Sequence, residues 1–330
     1  MKEERPLLAI ALPAGRLPSS ALGRIQEFNP PWEVILTPDK EEFEKYLDRI
    51  EVIFGDAPFS LLGRLPRLKW VQLWSAGADR IQDYPELKKL PFLLTSVSGI
   101  HGRQMTEHLF GLILSHTRRL PEAFEAQKEK RWVQIGPEGL SDLAGKTLLI
   151  VGCGKIGMTA ARAARGFGME VIGFRRREVS PEERAAWEKE GIRLRGGLPI
   201  GEFLPQADYV VNILPLTPET RHYFNRNLFR QFKPGGVYVS LGRGGTTDEE
   251  ALVEALAQGR LGGALLDVAE TEPLREDSPL WEMKQVILTG HYAGLHREYD
   301  ELALTLALKN LDRYLRGEPL LNLVDKERGY

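Results

Sequence analysis

The chain has 330 residues and a formal net charge of −2, with 42% hydrophobic and 27% charged residues. That length suits two domains of ordinary composition, and the near-neutral balance gives no electrostatic reason to expect nucleic acid or a membrane surface. Cys153 is the only cysteine, which leaves no disulfide framework and no thiolate metal site and suits a reducing cytoplasm.

The start, MKEERPLLAIALPAG, is charged first, and its short apolar run is broken by Pro13, unlike a secretory leader. No apolar run of about 18 residues marks a membrane span. Short apolar runs then alternate with helical patterns. LLAIAL (7–12), EVILT (33–37), EVIFG (51–55), KWVQLW (69–74) and FLLTS (92–96) read as strands, each bounded by Pro, Gly or charged turns. A long helical pattern over 102–132 follows, with Met105, Leu109, Leu112, Ile113 and Leu120 on its apolar positions. After Gly145 come six more strand-like runs: TLLIVG, EVIGF, YVVNILP, VYVSLG, GALLDV and QVILTG. Alternating strands and helices predict an α/β fold of two doubly wound parallel sheets. The closing helical stretch, 298–316, is placed to return to the first sheet. The reading is therefore a cofactor domain (101–291) inserted into a first domain made of 1–100 and 292–330.

Gly152, Gly154 and Gly157 follow the strand LLIVG and open an apolar helix, which is the context a dinucleotide-binding GxGxxG loop requires. Glycines permit the tight turn, and the helix N-terminus offers free N–H groups to a pyrophosphate. The alternative is a glycine-rich turn with no ligand. Cys153 reads as a small packing residue. Where the next strand ends, an acid would hold a ribose 2′-hydroxyl, but this chain has Arg175, Arg176 and Arg177. Guanidinium groups accept a 2′-phosphate bidentately, so the substitution favours NADP(H) over NAD(H). The alternative is a solvated strand end.

Three later segments fall at or beyond strand ends, where open α/β sheets bind ligands: VSLGRGGTTDEEAL, LLDVAETEPL and ILTGHYAG. They offer Arg243, Asp267 with Glu270 or Glu272, and His291. A carboxylate beside a histidine stabilises imidazolium and makes a good general acid, and an arginine suits the carboxylate of a 2-oxo acid. Taken singly, each could be an ordinary surface or strand-end residue.

Together with NILPLTPETRHYFN (212–225) and KPGGVYVSLGRGG (233–245), these motifs resemble the D-isomer-specific 2-hydroxyacid dehydrogenases, the family of phosphoglycerate dehydrogenase and glyoxylate/hydroxypyruvate reductase. The resemblance runs from about Leu68 to the C-terminus and is strongest between Gly145 and His291. It implies a flavodoxin-like substrate domain beside a Rossmann cofactor domain. It also implies a catalytic set of Arg243, Glu272 and His291, with Glu272 preferred to Glu270 because the family's acid precedes a proline. The substrate carboxylate would fall to Arg243 and to the amides of Ala76 and Gly77. The cofactor would fall to Gly152, Gly154, Lys155, Ile156, Gly157, Arg175, Arg176, Arg177, Pro215, Leu241, Gly242, Asp267 and His291. Thr106, Glu107 and His108 match the start of the interdomain helix, with His108 structural. The chain departs from the pattern at Gly290, where proline is usual before the histidine, at Gly242, where alanine is usual before the arginine, and in the missing acid after the second cofactor-domain strand.

The expected protein is a cytoplasmic oxidoreductase reducing a small 2-oxo acid of the hydroxypyruvate or glyoxylate kind to the D-2-hydroxy acid, reversibly and with NADPH preferred. Its domains would close on hinges near 99–102 and 291–295, and the family implies a homodimer through the cofactor domain. One alternative is a strictly NAD-dependent dehydrogenase of the phosphoglycerate type, whose phosphorylated substrate Arg64, Arg67 and Lys69 could attract. Another is a non-catalytic dinucleotide sensor like the corepressors that share the fold.

Overall fold

The computed structural model describes residues 5–13, 15–197 and 199–330; the first four residues of the charged N-terminal pattern lie outside the described residues. The chain divides into two compact units, Met1–Ile100 with His296–Tyr330, and His101–Leu295.

The first unit is built on β1 (Leu7–Ala11), β2 (Glu33–Leu36), β3 (Ile50–Gly55), β4 (Trp70–Leu73) and β5 (Leu93–Thr95), all parallel in the order β2-β1-β3-β4-β5. That is the flavodoxin-like strand order. The period of two along each strand explains why both faces are covered. Leu7, Ala9 and Ala11 enter one apolar cluster with Phe59 and Leu62, while Leu8 and Ile10 enter another with Val52 and Trp70. Helix Tyr299–Leu315 supplies Ala303, Leu304, Ala307, Leu308 and Leu311 to the second cluster at helical spacing. The C-terminal stretch therefore completes this unit.

The second unit carries β6 (Thr147–Val151), β7 (Glu170–Arg175), β8 (Ile192–Gly196), β9 (Tyr209–Asn212), β10 (Gly236–Ser240), β11 (Leu261–Leu266) and β12 (Val286–Leu288). All are parallel, in the order β12-β11-β10-β9-β6-β7-β8. Leu148 and Ile150 face one core, Leu149 and Val151 the other. Each wholly buried side chain of this kind contributes roughly 1.5–3 kcal/mol. The order reverses at β6 and β9, which makes the end of β6 the switch point where such sheets take ligands.

Two expectations need correction. The sheet has seven strands rather than six, because IRLRG (192–196) pairs with β7 at the edge. The helical pattern over 102–132 is two helices, Gly102–Thr117 and Leu120–Lys128. Arg119 between them is left-handed, with φ of 55°, and Pro121 opens the second helix. A proline has no N–H to donate to the carbonyl four residues back, and its ring crowds that carbonyl, so it is tolerated in the first turn of a helix but not in its interior.

Candidate active site

The glycine loop turns sharply out of β6. Gly152 has φ of 91°, and a Cβ there would stand 2.7 Å from the Ile213 carbonyl oxygen, so only glycine carries the chain this close to the end of β9. Gly154 caps the twelve-residue helix Lys155–Gly166, whose first N–H groups lack intrahelical partners. Gly157 lies in the first turn, packed against Cys153 and Ile150, with Ile156 partly buried beside them. Cys153 is fully buried beneath the loop, and burial pushes its thiol up to about 12, so it packs and does not react at neutral pH. This cradle fits the pyrophosphate of a dinucleotide, on the free helix N-terminus and the close backbone approach.

Of the three arginines, Arg175 is mostly buried, while Arg176 and Arg177 are exposed. Arg175 donates from Nε to the Cys153 carbonyl at 2.6 Å, lies 5.4 Å from the Trp187 ring centroid, and pairs through Nη1 with Glu183. Arg177 donates to the same Glu183 Oε1 at 2.9 Å and to the Glu178 carbonyl at 2.9 Å. Arg176 lies 3.6 Å from Glu219. The strand itself carries no acid at this end. An acid is present, delivered from helix Pro181–Glu188 instead of from the strand.

Beyond β9 and β10, the chain is tied down by buried Asn212. Its Nδ2 donates to Tyr238 Oη at 2.8 Å and Thr246 Oγ1 at 2.8 Å, and its Oδ1 accepts the Leu214 N–H at 3.1 Å. Leu241 donates to the Asn212 carbonyl at 3.0 Å, and the Pro215 carbonyl accepts the Thr220 hydroxyl at 2.7 Å. Pro215, Leu241 and Gly242 thus sit on adjoining strand-end loops. Arg243 precedes a single 3₁₀ turn, Gly244–Thr246, and its carbonyl accepts the Thr246 hydroxyl at 2.6 Å. A side chain at Gly244 would run into the Ala269 carbonyl, so glycine brings the arginine loop against the loop that follows β11.

On that loop, Glu272 anchors through Oε1, which accepts the Ala269 N–H at 3.1 Å. Its Oε2 accepts from His291 Nδ1 at 2.6 Å. The geometry leaves Nε2 as the imidazole nitrogen available to a substrate. His291 has φ of 56°, a conformation rare in residues with side chains. Its backbone N–H donates to the Asp267 carbonyl at 2.7 Å. With that bond and the Glu272 contact, His291 is fixed although Gly290 stands where the family has proline.

Asp267 is 2% exposed and fully engaged. Oδ1 accepts from Thr289 Oγ1 at 2.6 Å and from the Tyr292 N–H at 3.2 Å, and Oδ2 accepts the Ala293 N–H at 2.9 Å. It folds the segment that carries His291. His108 donates to Thr289 Oγ1 at 2.9 Å, approaches Asp267 to 3.5 Å and meets the Tyr292 ring edge-on. Burial lowers its pKa more than Asp267 raises it, so it stays neutral at pH 7. Glu270, the other candidate acid, pairs with His222 instead. Among the described residues no group of three or more His, Cys, Asp or Glu is placed to hold a metal ion, and no helix is long and apolar enough to cross a membrane.

In the other unit, Ala76 and Gly77 follow β4. Their loop is shaped by the Ser75 hydroxyl donating to the Gly77 carbonyl at 2.8 Å and tethered by Tyr299 Oη donating to the Trp74 carbonyl at 2.7 Å. Arg67 and Lys69 both pair with Glu51, at 3.4 Å and 2.8 Å, and Arg64 lies 3.6 Å from Glu44. Each of these basic residues thus has an acidic partner. Asn212, Thr289 and Glu183 went unnoticed in the sequence. The first two follow apolar strand runs, and the third resembles an ordinary helix-start acid.

A phosphate-type loop at the switch point and a histidine–carboxylate pair on the same row of strand ends define a dinucleotide-dependent dehydrogenase. Residues 110–293 match the family model "D-isomer specific 2-hydroxyacid dehydrogenase, NAD binding domain", and the chain belongs to that family. It is accordingly an NAD(P)-dependent oxidoreductase that acts on the CH–OH group of 2-hydroxy acids and reduces 2-oxo acids. The glyoxylate reductase of Korarchaeum cryptofilum is 34% identical over 266 residues, 79% of this chain and 77% of that protein. Glyoxylate/hydroxypyruvate reductase B of Shigella boydii is 33% identical over 317 residues, 94% of this chain and 95% of that one, so the likeness extends well before Leu68. Among solved structures, a D-isomer specific 2-hydroxyacid dehydrogenase from Xanthobacter autotrophicus, in complex with NADPH and MES, superposes with a TM-score of 0.82 at 29% identity, covering 99% of this chain and all of that one. The NADPH-dependent glyoxylate/hydroxypyruvate reductase of Sinorhizobium meliloti, in complex with NADP and sulfate, gives a TM-score of 0.80 at 30% identity, covering 98% and 100%.

Proposed function

We propose that the protein reduces a small, unphosphorylated 2-oxo acid of the glyoxylate or hydroxypyruvate kind to the D-2-hydroxy acid, with NADPH preferred. The observation that carries the reading is the 2.6 Å pairing of His291 Nδ1 with Glu272. It leaves Nε2 to deliver a proton to the substrate oxygen as the carbonyl is reduced. Glu272 holds the imidazole in that tautomer and stabilises it when it is charged. Arg243 neutralises the substrate carboxylate, and the Ala76 and Gly77 amides are assigned to substrate binding, which makes the first unit the substrate domain. A bound nicotinamide dinucleotide would supply the hydride. The glycine loop with Lys155 and Ile156 and the strand-end loops at Pro215, Leu241 and Gly242 would hold it, Asp267 would act on it by fixing the segment that carries His291, and Arg175–Arg177 would read a 2′-phosphate. The names of the relatives support the substrate class, and the ion-paired state of Arg64, Arg67 and Lys69 weighs against a phosphorylated substrate.

We also infer a homodimer through the cofactor unit, supported by the 92% exposure of Trp132 with Phe124 and Val133 nearby in sequence and also exposed; sedimentation velocity should give twice the chain mass. A panel of glyoxylate, hydroxypyruvate, 3-phosphohydroxypyruvate and pyruvate, followed by loss of NADPH absorbance, tests the substrate assignment. Fastest turnover of one of the first two is expected. Preference for 3-phosphohydroxypyruvate would replace this reading with the phosphoglycerate type, and no turnover on any would favour the sensor reading.

A further inference from the structure

Glu183 stands in an unusual position for a helix-start acid. Ser180 caps helix Pro181–Glu188 by accepting the Glu183 N–H at 3.2 Å, and the spacing Ser-Pro-Glu-Glu would let Glu183 reach back to the cap. Instead its carboxylate turns to the end of β7, where a single oxygen, Oε1, serves Arg175 Nη1 and Arg177 Nη2. One helical turn on, Trp187 lies under the Arg175 guanidinium. The helix thus presents an acid and an aromatic face to the arginine that also grips the glycine loop through the Cys153 carbonyl. Partial burial pushes the Glu183 carboxyl up, but the two guanidinium groups outweigh it and hold the carboxyl below the usual carboxylate range, so it is ionised at neutral pH.

These are the guanidinium groups to which the 2′-phosphate of NADPH is assigned, and the inference rests on that assignment. We infer that Glu183 is the specificity-setting residue of the cofactor site: its carboxylate stands in for the 2′-phosphate on Arg175 and Arg177, and competes with it. When the cofactor lacks that phosphate, Glu183 keeps both arginines neutralised, so NADH is tolerated. When the phosphate arrives, it shares or displaces the carboxylate, and like-charge repulsion subtracts from the binding gained. The size of the NADPH preference is therefore set by Glu183 as much as by the arginines.

The test compares the binding of 2′,5′-ADP and 5′-ADP to the full-length wild type, Glu183→Gln and Glu183→Ala, by calorimetry, with thermal midpoints as a check on folding. Glutamine keeps the size and a hydrogen-bonding oxygen but removes the charge. The expected result is a roughly two- to fivefold gain in 2′,5′-ADP affinity in both variants, the scale of one partly exposed charge contact. Binding of 5′-ADP should change less than twofold. A merely structural role would move both nucleotides together. Wild type preferring 2′,5′-ADP, with no gain in either variant, would overturn the role of Glu183 and leave the arginine assignment standing. No preference for 2′,5′-ADP in wild type or variants would remove the arginine assignment and the inference with it. No preference in wild type but a clear one in the variants would mean that Glu183 fully masks the arginines, which is the inference in its strongest form.

Discussion

The second unit contains two histidine–glutamate pairs, and their differences show what makes such a pair a site. His291 with Glu272 and His222 with Glu270 are both partly exposed, and both histidines sit at positive φ, 56° and 49°. The surroundings diverge. The His222 N–H donates to the Gly245 carbonyl, and Glu270 is partnered in turn by Glu249 through its own N–H. That pair ties two loops together. The His291 segment is instead built on a buried carboxylate: Asp267 takes the Tyr292 and Ala293 amides and the Thr289 hydroxyl, and its carbonyl takes the His291 N–H. Glu272 is separately fixed by the Ala269 amide. One imidazole is aimed by a folded, desolvated network; the other is a clasp. A general acid has to be held in a fixed position, and the first arrangement is the one that fits the role proposed for His291.

The contrast can be broken by parallel substitutions. His291→Gln should lower kcat by roughly 10²–10⁴-fold, the usual worth of a positioned general acid, with NADPH affinity little changed. His222→Gln should stay within a few fold of wild type. Equal losses, measured by steady-state rates and fluorescence titration of the cofactor, would dissolve the distinction. Glu272→Gln should cost about 10²-fold in kcat, because the amide cannot stabilise imidazolium, while Glu270→Gln should act chiefly on stability. Gly244→Ala sharpens the account of how the arginine loop meets the Glu272 loop. Its methyl must displace the Ala269 backbone, so we expect a loss of about 1–3 kcal/mol in urea unfolding, with weaker binding of the 2-oxo acid; unchanged stability would mean the loops are not packed as described.

The smallest effect concerns pH. Burial depresses His108, so the folded state favours the neutral ring while the unfolded chain takes up a proton near the ordinary value of 6.5. Its contribution is fully present above that value and is lost as pH falls from it through the folded pKa. The thermal midpoint of wild type should therefore fall more steeply below about pH 6.5 than that of His108→Asn. Parallel curves would contradict the neutral, hydrogen-bonding role of His108.

Much of the scaffold was legible because parallel strands covered on both faces are nearly unbroken apolar runs, as in LLIV at β6 or LLAIA at β1. The strand IRLRG escaped because Arg193 and Arg195 interrupt its apolar positions, as befits a sheet edge. The break at Arg119 was written in Pro121 but hidden by apolar residues that continue at helical spacing on both sides. Arg243, Glu272 and His291, the catalytic set proposed here, stand out in the sequence through short motifs following strands. Glu183 was not, because an acid three residues after a serine already has a local explanation as a cap, and nothing in one dimension says that its side chain turns away. Asp267 was noted as a cofactor contact, yet its role in folding the histidine segment depends on three donors more than twenty residues further along the chain.

The central claim is an NADPH-preferring reduction of a small 2-oxo acid, and its most direct test is the initial rate of hydroxypyruvate reduction with NADPH and with NADH, at matched subsaturating concentrations. A clearly higher kcat/KM for NADPH is expected, from the two guanidinium groups that Glu183 now occupies. Equal values, or a higher value for NADH, would contradict it; if the Glu183 variants also showed no 2′,5′-ADP preference, Arg175–Arg177 would return to a purely structural part in holding the glycine loop and the helix beside it.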